Sequence, residues 1–171
     1  MVIIINGSVG AGKSSTSWEL QTKFDKSVML DGDHIGAVHP FEIYDESRIE
    51  YLYETICLLV KFHMRHGYGH FVINYVFESG PALQRLVDML NGIAGDIHCF
   101  WLTCSDEEQE KRISARSRDE KEWELKRFIE LNEIQKKAGE TGYIGTAVKT
   151  DGMNAKEVAS YIWKQVFPFH N

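Results

Sequence analysis

Gly7-Ser8-Val9-Gly10-Ala11-Gly12-Lys13-Ser14 fits the spacing G-x-x-x-x-G-K-[ST] without a gap. Glycines at this spacing let the backbone wrap so that its amide groups point inward at phosphate oxygens. A helix opening at the lysine adds the partial positive charge of its N-terminus. Lys13 would reach the β- and γ-phosphates and Ser14 would give one oxygen to Mg2+, with Ser15 beside them as a further nucleotide contact. A second group is Asp31 and Asp33, in Leu30-Asp31-Gly32-Asp33-His34. One such carboxylate can hold a magnesium-bound water, and the other can accept a proton from an attacking hydroxyl. A third group is Arg112, Arg116 and Arg118. Arg112 and Arg116 are one helical turn apart and share a face. Phosphoryl transfer spreads negative charge over equatorial oxygens, and arginines there can neutralise it. The chemistry these residues could do together is phosphoryl transfer from a nucleoside triphosphate.

The surrounding pattern supplies elements to position them. Val2–Asn6 is a β-branched run, read as a buried parallel strand that ends at the phosphate loop. A helix follows over Lys13–Phe24, then a short strand over Val28–Leu30 that delivers Asp31. Apolar residues from Ile49 to His63 recur at spacings of three and four, which predicts an amphipathic helix over Glu46–His66 stopped by Gly67 and Gly69. Phe71–Val76 reads as the third strand, and Pro81–Leu90 as a helix with proline in its first turn. Ile97–Leu102 is the fourth strand. Ser105 can cap the next helix, and Asp119-x-x-Glu122 predicts a cap for another running to about Ala138. Thr146–Lys149 is read as a fifth strand, and Asn154 as the cap of a last helix, Ala155–Phe167. Alternating strands and helices imply a parallel sheet covered on both faces, with ligands at the carboxyl ends of the strands. Each of the three residue groups falls at such an end.

At this point the residues resemble a known group, the P-loop small-molecule kinases. Asp-x-Asp after the second strand is similar to shikimate kinase, Leu-Asp-Gly-Asp resembles adenylylsulfate kinase, and the strand-two aspartate also resembles that of chloramphenicol phosphotransferase. Arg-x-x-x-Arg-x-Arg resembles the short lid these kinases carry after strand four. The resemblance implies a three-layer α/β/α P-loop NTPase fold with a five-stranded parallel sheet, a single domain over residues 1–171 and a lid at about 112–120. It implies ATP with Mg2+, Asp33 as base and substrate anchor, Asp31 as the metal-side carboxylate, Arg112 near the adenine, and Arg116 and Arg118 near the phosphates. It also implies that the loop over residues 149–155 borders the adenine. Val72-Ile73-Asn74-Tyr75-Val76-Phe77-Glu78 departs from the pattern, because Asn74 and Tyr75 stand where many relatives have a metal-binding aspartate. Asparagine carries no charge, so either Asp31 or Glu78 must supply it, or the magnesium is held loosely. The triple glycine of shikimate kinase and the Asp-Gly-Phe-Pro-Arg signature of adenylate kinases are absent.

A phosphate-bearing acceptor needs arginines in the acceptor region. There Arg48 and Arg85 are the candidates, a thin supply that favours a hydroxyl on an uncharged or amphipathic molecule. His34, Tyr75 and Glu78 complete the expected acceptor pocket, with His39, Phe41, Tyr44 and Phe77 as further candidates; His34 either tunes Asp33 or is an exposed turn residue. The expected activity is transfer of the γ-phosphate of ATP to a small-molecule hydroxyl. The alternatives are a nucleoside or nucleotide kinase, and a nucleotide-binding regulatory ATPase without an acceptor. The chain's 171 residues suffice for one domain with a real core. A net charge of -6 argues against a nucleic-acid or membrane-surface binder. No run approaches the ~20 apolar residues of a membrane span. Cys57, Cys99 and Cys104 suit neither a disulfide framework nor a zinc site, and read as buried free thiols in a reducing cytoplasm. A monomer or homodimer is expected.

Overall fold

The computed structural model describes residues 1–116 and 121–169. Five strands form one parallel sheet: β1 (Val2–Gly7), β2 (Ser27–Asp31), β3 (His70–Asn74), β4 (Ile97–Thr103) and β5 (Thr146–Lys149), in the order β2-β3-β1-β4-β5. The helices among the described residues are α1 (Lys13–Gln21), α2 (Gly32–Ile35), α3 (Glu46–Arg65), α4 (Gly80–Asn91), α5 (Asp106–Ser114), α6 (Lys121–Thr141) and α7 (Ala155–Val166). This is the expected three-layer α/β/α arrangement.

β1 explains the layering. Its side chains alternate between faces, and both faces are dry. Val2 and Ile4 join a core with Leu52 and Ile56 of α3 and Leu83 and Leu86 of α4. Ile3 and Ile5 join the opposite core with Leu20 of α1 and Val158 and Ile162 of α7. All four are fully buried, each stabilising the fold by roughly 1.5–3 kcal/mol. A strand buried on both faces cannot alternate in polarity, which is why the sequence shows a plain apolar run.

The caps read from sequence form. Ser105 accepts from the Glu108 amide, and Asn154 and Glu157 make a reciprocal capping box on α7. The Asp119 cap and its neighbour Arg118 lie outside the described residues. α2 is an element the sequence reading passed over as the mouth of β2. Asp31 itself caps it, accepting from the Asp33 amide at 3.0 Å and the His34 amide at 3.4 Å. Gly32, its first residue, has the ring of Tyr75 against it. A Cβ there would come within 2.6 Å of that ring, so the Asp-Gly pair serves close packing as well as turning. Cys57 and Cys99 are buried and Cys104 is half-buried, all three free. Burial pushes each thiol above its ordinary range, and Cys99 to about 11, so none is poised as a nucleophile. No helix among the described residues is long and apolar enough to cross a membrane.

Candidate active site

The turn from β1 into α1 wraps as its glycines allow. Gly10 and Gly12 sit at φ 83° and 98°, where residues with a Cβ are strained. Lys13 is buried and donates from Nζ to the Ser8 carbonyl at 3.2 Å. Burial drives its ammonium below the ordinary lysine range, while Asp33 and then Asp31 pull it back up; Arg116 and Glu124 also act on it. Lys13 thus sits in the field of these four charged groups. Asp33, Asp31 and Arg116 are three of the residues that sequence spacing had singled out.

Sheet register brings Asp31 of β2 beside Asn74 of β3. Neighbouring side chains in register share a face, and here they bond. Asn74 donates to Asp31 Oδ2 at 2.8 Å, and Ser14 Oγ donates to the same oxygen at 3.0 Å. Burial would raise the Asp31 carboxyl, but the bonds from Asn74 and Ser14, with the His34 amide, outweigh it and hold the pKa below the usual carboxylate range. Asn74 Oδ1 is buried with no partner among the described residues. A hydroxyl, one ionised carboxylate and an open amide oxygen suit Mg2+, which keeps several of its waters. No cluster of three or more His, Cys, Asp or Glu that could hold a metal occurs among the described residues. Asn74 thus fills the missing aspartate's place by ordering Asp31, not by adding charge. Asn74→Ala is expected to weaken the Mg2+-dependent part of nucleotide affinity about tenfold and to leave metal-free affinity alone. Titration with and without Mg2+ measures both, and an undiminished metal effect would remove Asn74 from this role.

Asp33 is exposed in the first turn of α2. Ser14, Asp31, Asp33 and His34 help line a cleft of about 870 Å3, whose apolar lining includes Trp18, Met29, Ile35 and Leu59. His34 thus shares a cleft with the expected base. Tyr75 lies against Gly32 and edge-on to Phe77, 5.4 Å between ring centres. Glu78 is held by the guanidinium of Arg127 from α6.

Two expected acceptor residues are engaged elsewhere. Arg48 is buried and donates to the carbonyls of Glu42, Gly36 and Ile43, tying down the α2–α3 loop. Backbone carbonyls of a loop attract an arginine as well as an anion does, and spacing alone does not separate the two. Arg85 pairs with Glu50 on the outer surface of α3 and α4 at 3.2 Å. Arg112 is fixed too: it donates to Glu108, to the Ala11 carbonyl, and to Thr150 and Met153. It therefore joins the phosphate loop to the loop after β5. Arg116 meets Glu124 at 3.5 Å.

The sequence reading missed the support for the phosphate loop. Gln109 of α5 donates to Ser8 Oγ and the Val9 carbonyl; Ser8 Oγ donates to Asn132, which donates back to Gln109 at 3.0 Å. A Cβ on Gly10 would come within 2.9 Å of Gln109 and Ile113, so α5 rests directly on the loop. The available signal was on α6. Glu124, Arg127 and Gln135 fall at helical spacing with Phe128 and Leu131, so polar residues share its buried face.

A family profile described as an AAA domain covers residues 2–138. The chain belongs to that family. No curated protein matches it in sequence. Among solved structures it is similar to a tunicamycin resistance protein from Deinococcus radiodurans, at TM-score 0.66 and 19% identity over 97% of this chain and 95% of that one. A sugar kinase from a Janibacter species gives TM-score 0.67 and 12% identity, covering 98% and 95%. A shikimate kinase from Acinetobacter baumannii gives 0.59 and 17%, covering 98% and 93%. The fold is that of the P-loop small-molecule kinases along nearly its whole length.

Proposed function

We propose that this chain is a cytoplasmic kinase that moves the γ-phosphate of ATP to a hydroxyl of a small molecule. The observation that carries the reading is Asp33, an exposed carboxylate in the cleft that Ser14 and Asp31 also line, while Asp31 itself is bonded to Ser14 and Asn74. One carboxylate is committed to the metal side and the other is open to an acceptor. The phosphate loop and Lys13 hold the phosphates. Ser14, Asp31 and Asn74 would hold Mg2+, which supplies positive charge at the phosphate oxygens. The acceptor oxygen attacks the γ-phosphorus in line, its proton passes to Asp33, and the bond to the β-phosphate oxygen breaks to release ADP. Arg116, whose charge is felt at Lys13, neutralises charge on the transferring group.

The engagement of Arg48 and Arg85 supports an acceptor without a phosphate, and so weighs against the nucleotide-kinase reading. The apolar residues among the cleft lining support an uncharged or amphipathic molecule. Fold similarity to proteins named as a sugar kinase and a shikimate kinase supports a hydroxyl-bearing acceptor. The test is thermal stabilisation by a panel of sugars, nucleosides and antibiotics, with and without a nonhydrolysable ATP analogue. One acceptor is expected to raise Tm only with the analogue present, and to become phosphorylated one-for-one with ADP when ATP is supplied. Slow hydrolysis unaffected by every acceptor would favour a regulatory ATPase instead.

A further inference from the structure

α3 buries one face and leaves the other bare. Leu52, Tyr53, Ile56 and Val60 point into the core, while Leu58, Phe62 and Tyr51 on the opposite side are 66%, 52% and 49% exposed. Charged residues flank this stripe in a definite order. Glu54 lies one turn before Leu58, and Lys61 about one turn after it on the same side. Their Cα atoms are about 10 Å apart along the axis, too far to pair within one helix. Neither has an ion-pair partner among the described residues.

We propose that two copies of this chain pair through α3, antiparallel, with the twofold axis beside Leu58. A twofold brings each residue before Leu58 opposite one about equally far after it, to within one residue, on the same side of the helix pair. Glu54 then meets Lys61 of the partner subunit, and the pair forms twice. Tyr51 and Arg65, both seven residues from Leu58, come together so that a guanidinium covers a phenol ring. Phe62 packs against Thr55 of the partner subunit, and the two Leu58 side chains meet at the axis. A shallow groove between α3 and α4, lined by Glu54, Leu58, Lys61, Met89 and Ile93 among others, lies on the ion-pair side. The twofold sets both grooves on that side, adding α4 surface to an interface that one helix face alone would leave small. The observation that selects a second copy over an unrelated partner is this symmetry. Opposite charges nearly equidistant from one exposed leucine complement themselves, and a different protein would place no such requirement on α3.

The test is the mass of the full chain in solution across a concentration series, by light scattering and sedimentation. A concentration-dependent dimer is expected. Glu54→Lys sets like charges face to face twice, and Lys61→Glu does the same. Each is expected to raise the dimer Kd about tenfold or more. The double exchange, Glu54→Lys with Lys61→Glu, restores both pairs and is expected to return Kd to within about threefold of the original. Leu58→Glu is expected to leave a folded monomer with unchanged nucleotide affinity, since Leu58 is exposed and remote from the phosphate loop. A chain monomeric at every concentration, a dimer that survives Leu58→Glu, or a double exchange as weak as either single one would each overturn the proposal. None of these results depends on whether the chain is a kinase.

Discussion

Asp33→Asn is expected to lower the rate of phosphoryl transfer by about 10²–10⁴-fold, the usual contribution of a positioned general base, with ATP affinity changed by less than about threefold. The asymmetry follows from where the two strand-two carboxylates sit. Asp31 is bonded by Ser14 and Asn74 and caps α2. Its removal would disturb the metal side and the helix together. Asp33 caps nothing with its side chain and is exposed, so the amide preserves local structure. An amide cannot take the acceptor's proton. It also removes one of the carboxylates that favour the charged form of buried Lys13. Lys13 should then hold its proton less well. Asp31→Asn is expected to behave differently, losing Mg2+-dependent nucleotide affinity along with rate. Steady-state transfer with the identified acceptor, beside nucleotide binding by fluorescence, separates the two variants. Turnover of Asp33→Asn within a factor of about three of the parent would eliminate Asp33 as the base.

The phosphate loop and the two aspartates were legible because their chemistry lies in local spacing. Strands of both cores were legible for a related reason: a β-branched apolar run needs no partner to be recognised. What lay beyond the sequence was lateral. Asn74 reads as a deficit when β3 is taken alone, and only the register with β2 shows it bonded to Asp31. The α2 helix has a single turn, too short for a hydrophobic period, and its cap is a residue already assigned to chemistry. Arg48 carried the right charge for an acceptor site, but charge does not say whether carbonyls or phosphate will take it. Arg127 stood unremarked among the charges of α6, yet it is buried between Glu78, Glu130 and Tyr44. Burial lowers its pKa, and the bonds it donates to Glu130 and Tyr44, with the field of Glu78, more than reverse that, so it stays charged. Helical periodicity shows that a face is buried; it does not show which polar residues that face brings in.

Asn6→Ala is expected to cost about 4 kcal/mol of stability and lower Tm by about 10 °C, from a residue with no catalytic role. Asn6 is the last inward position of β1 before the phosphate loop and is fully buried. Its Oδ1 accepts from the Gly7 amide at 2.7 Å, the Phe77 amide at 2.9 Å and Gln135 at 3.0 Å. Its Nδ2 donates to the carbonyls of Ile144 and Phe77, at 3.0 and 3.3 Å. One amide thus ties the start of the phosphate loop to the β3–α4 turn, the approach to β5, and α6. Alanine leaves buried donors at Gly7 and Phe77 without this acceptor, and each such orphan costs roughly 1–3 kcal/mol. Asn6→Asp separates lost shape from lost hydrogen bonding. It keeps the acceptor for the two backbone amides but turns an oxygen toward two carbonyls, where only the protonated acid can donate. Its carboxyl is therefore raised in the folded state above its unfolded value. The folded form then binds the extra proton, so stability is highest below the unfolded pKa of about 3.9 and falls as pH rises through the higher folded value. Asn6→Asp should approach the parent in mild acid and fall toward Asn6→Ala at neutral pH. Denaturant unfolding of all three chains across that range measures it. A pH-independent deficit for Asn6→Asp, or a loss below about 1 kcal/mol for Asn6→Ala, would mean that β1 is held at the phosphate loop by its apolar neighbours and not by this amide.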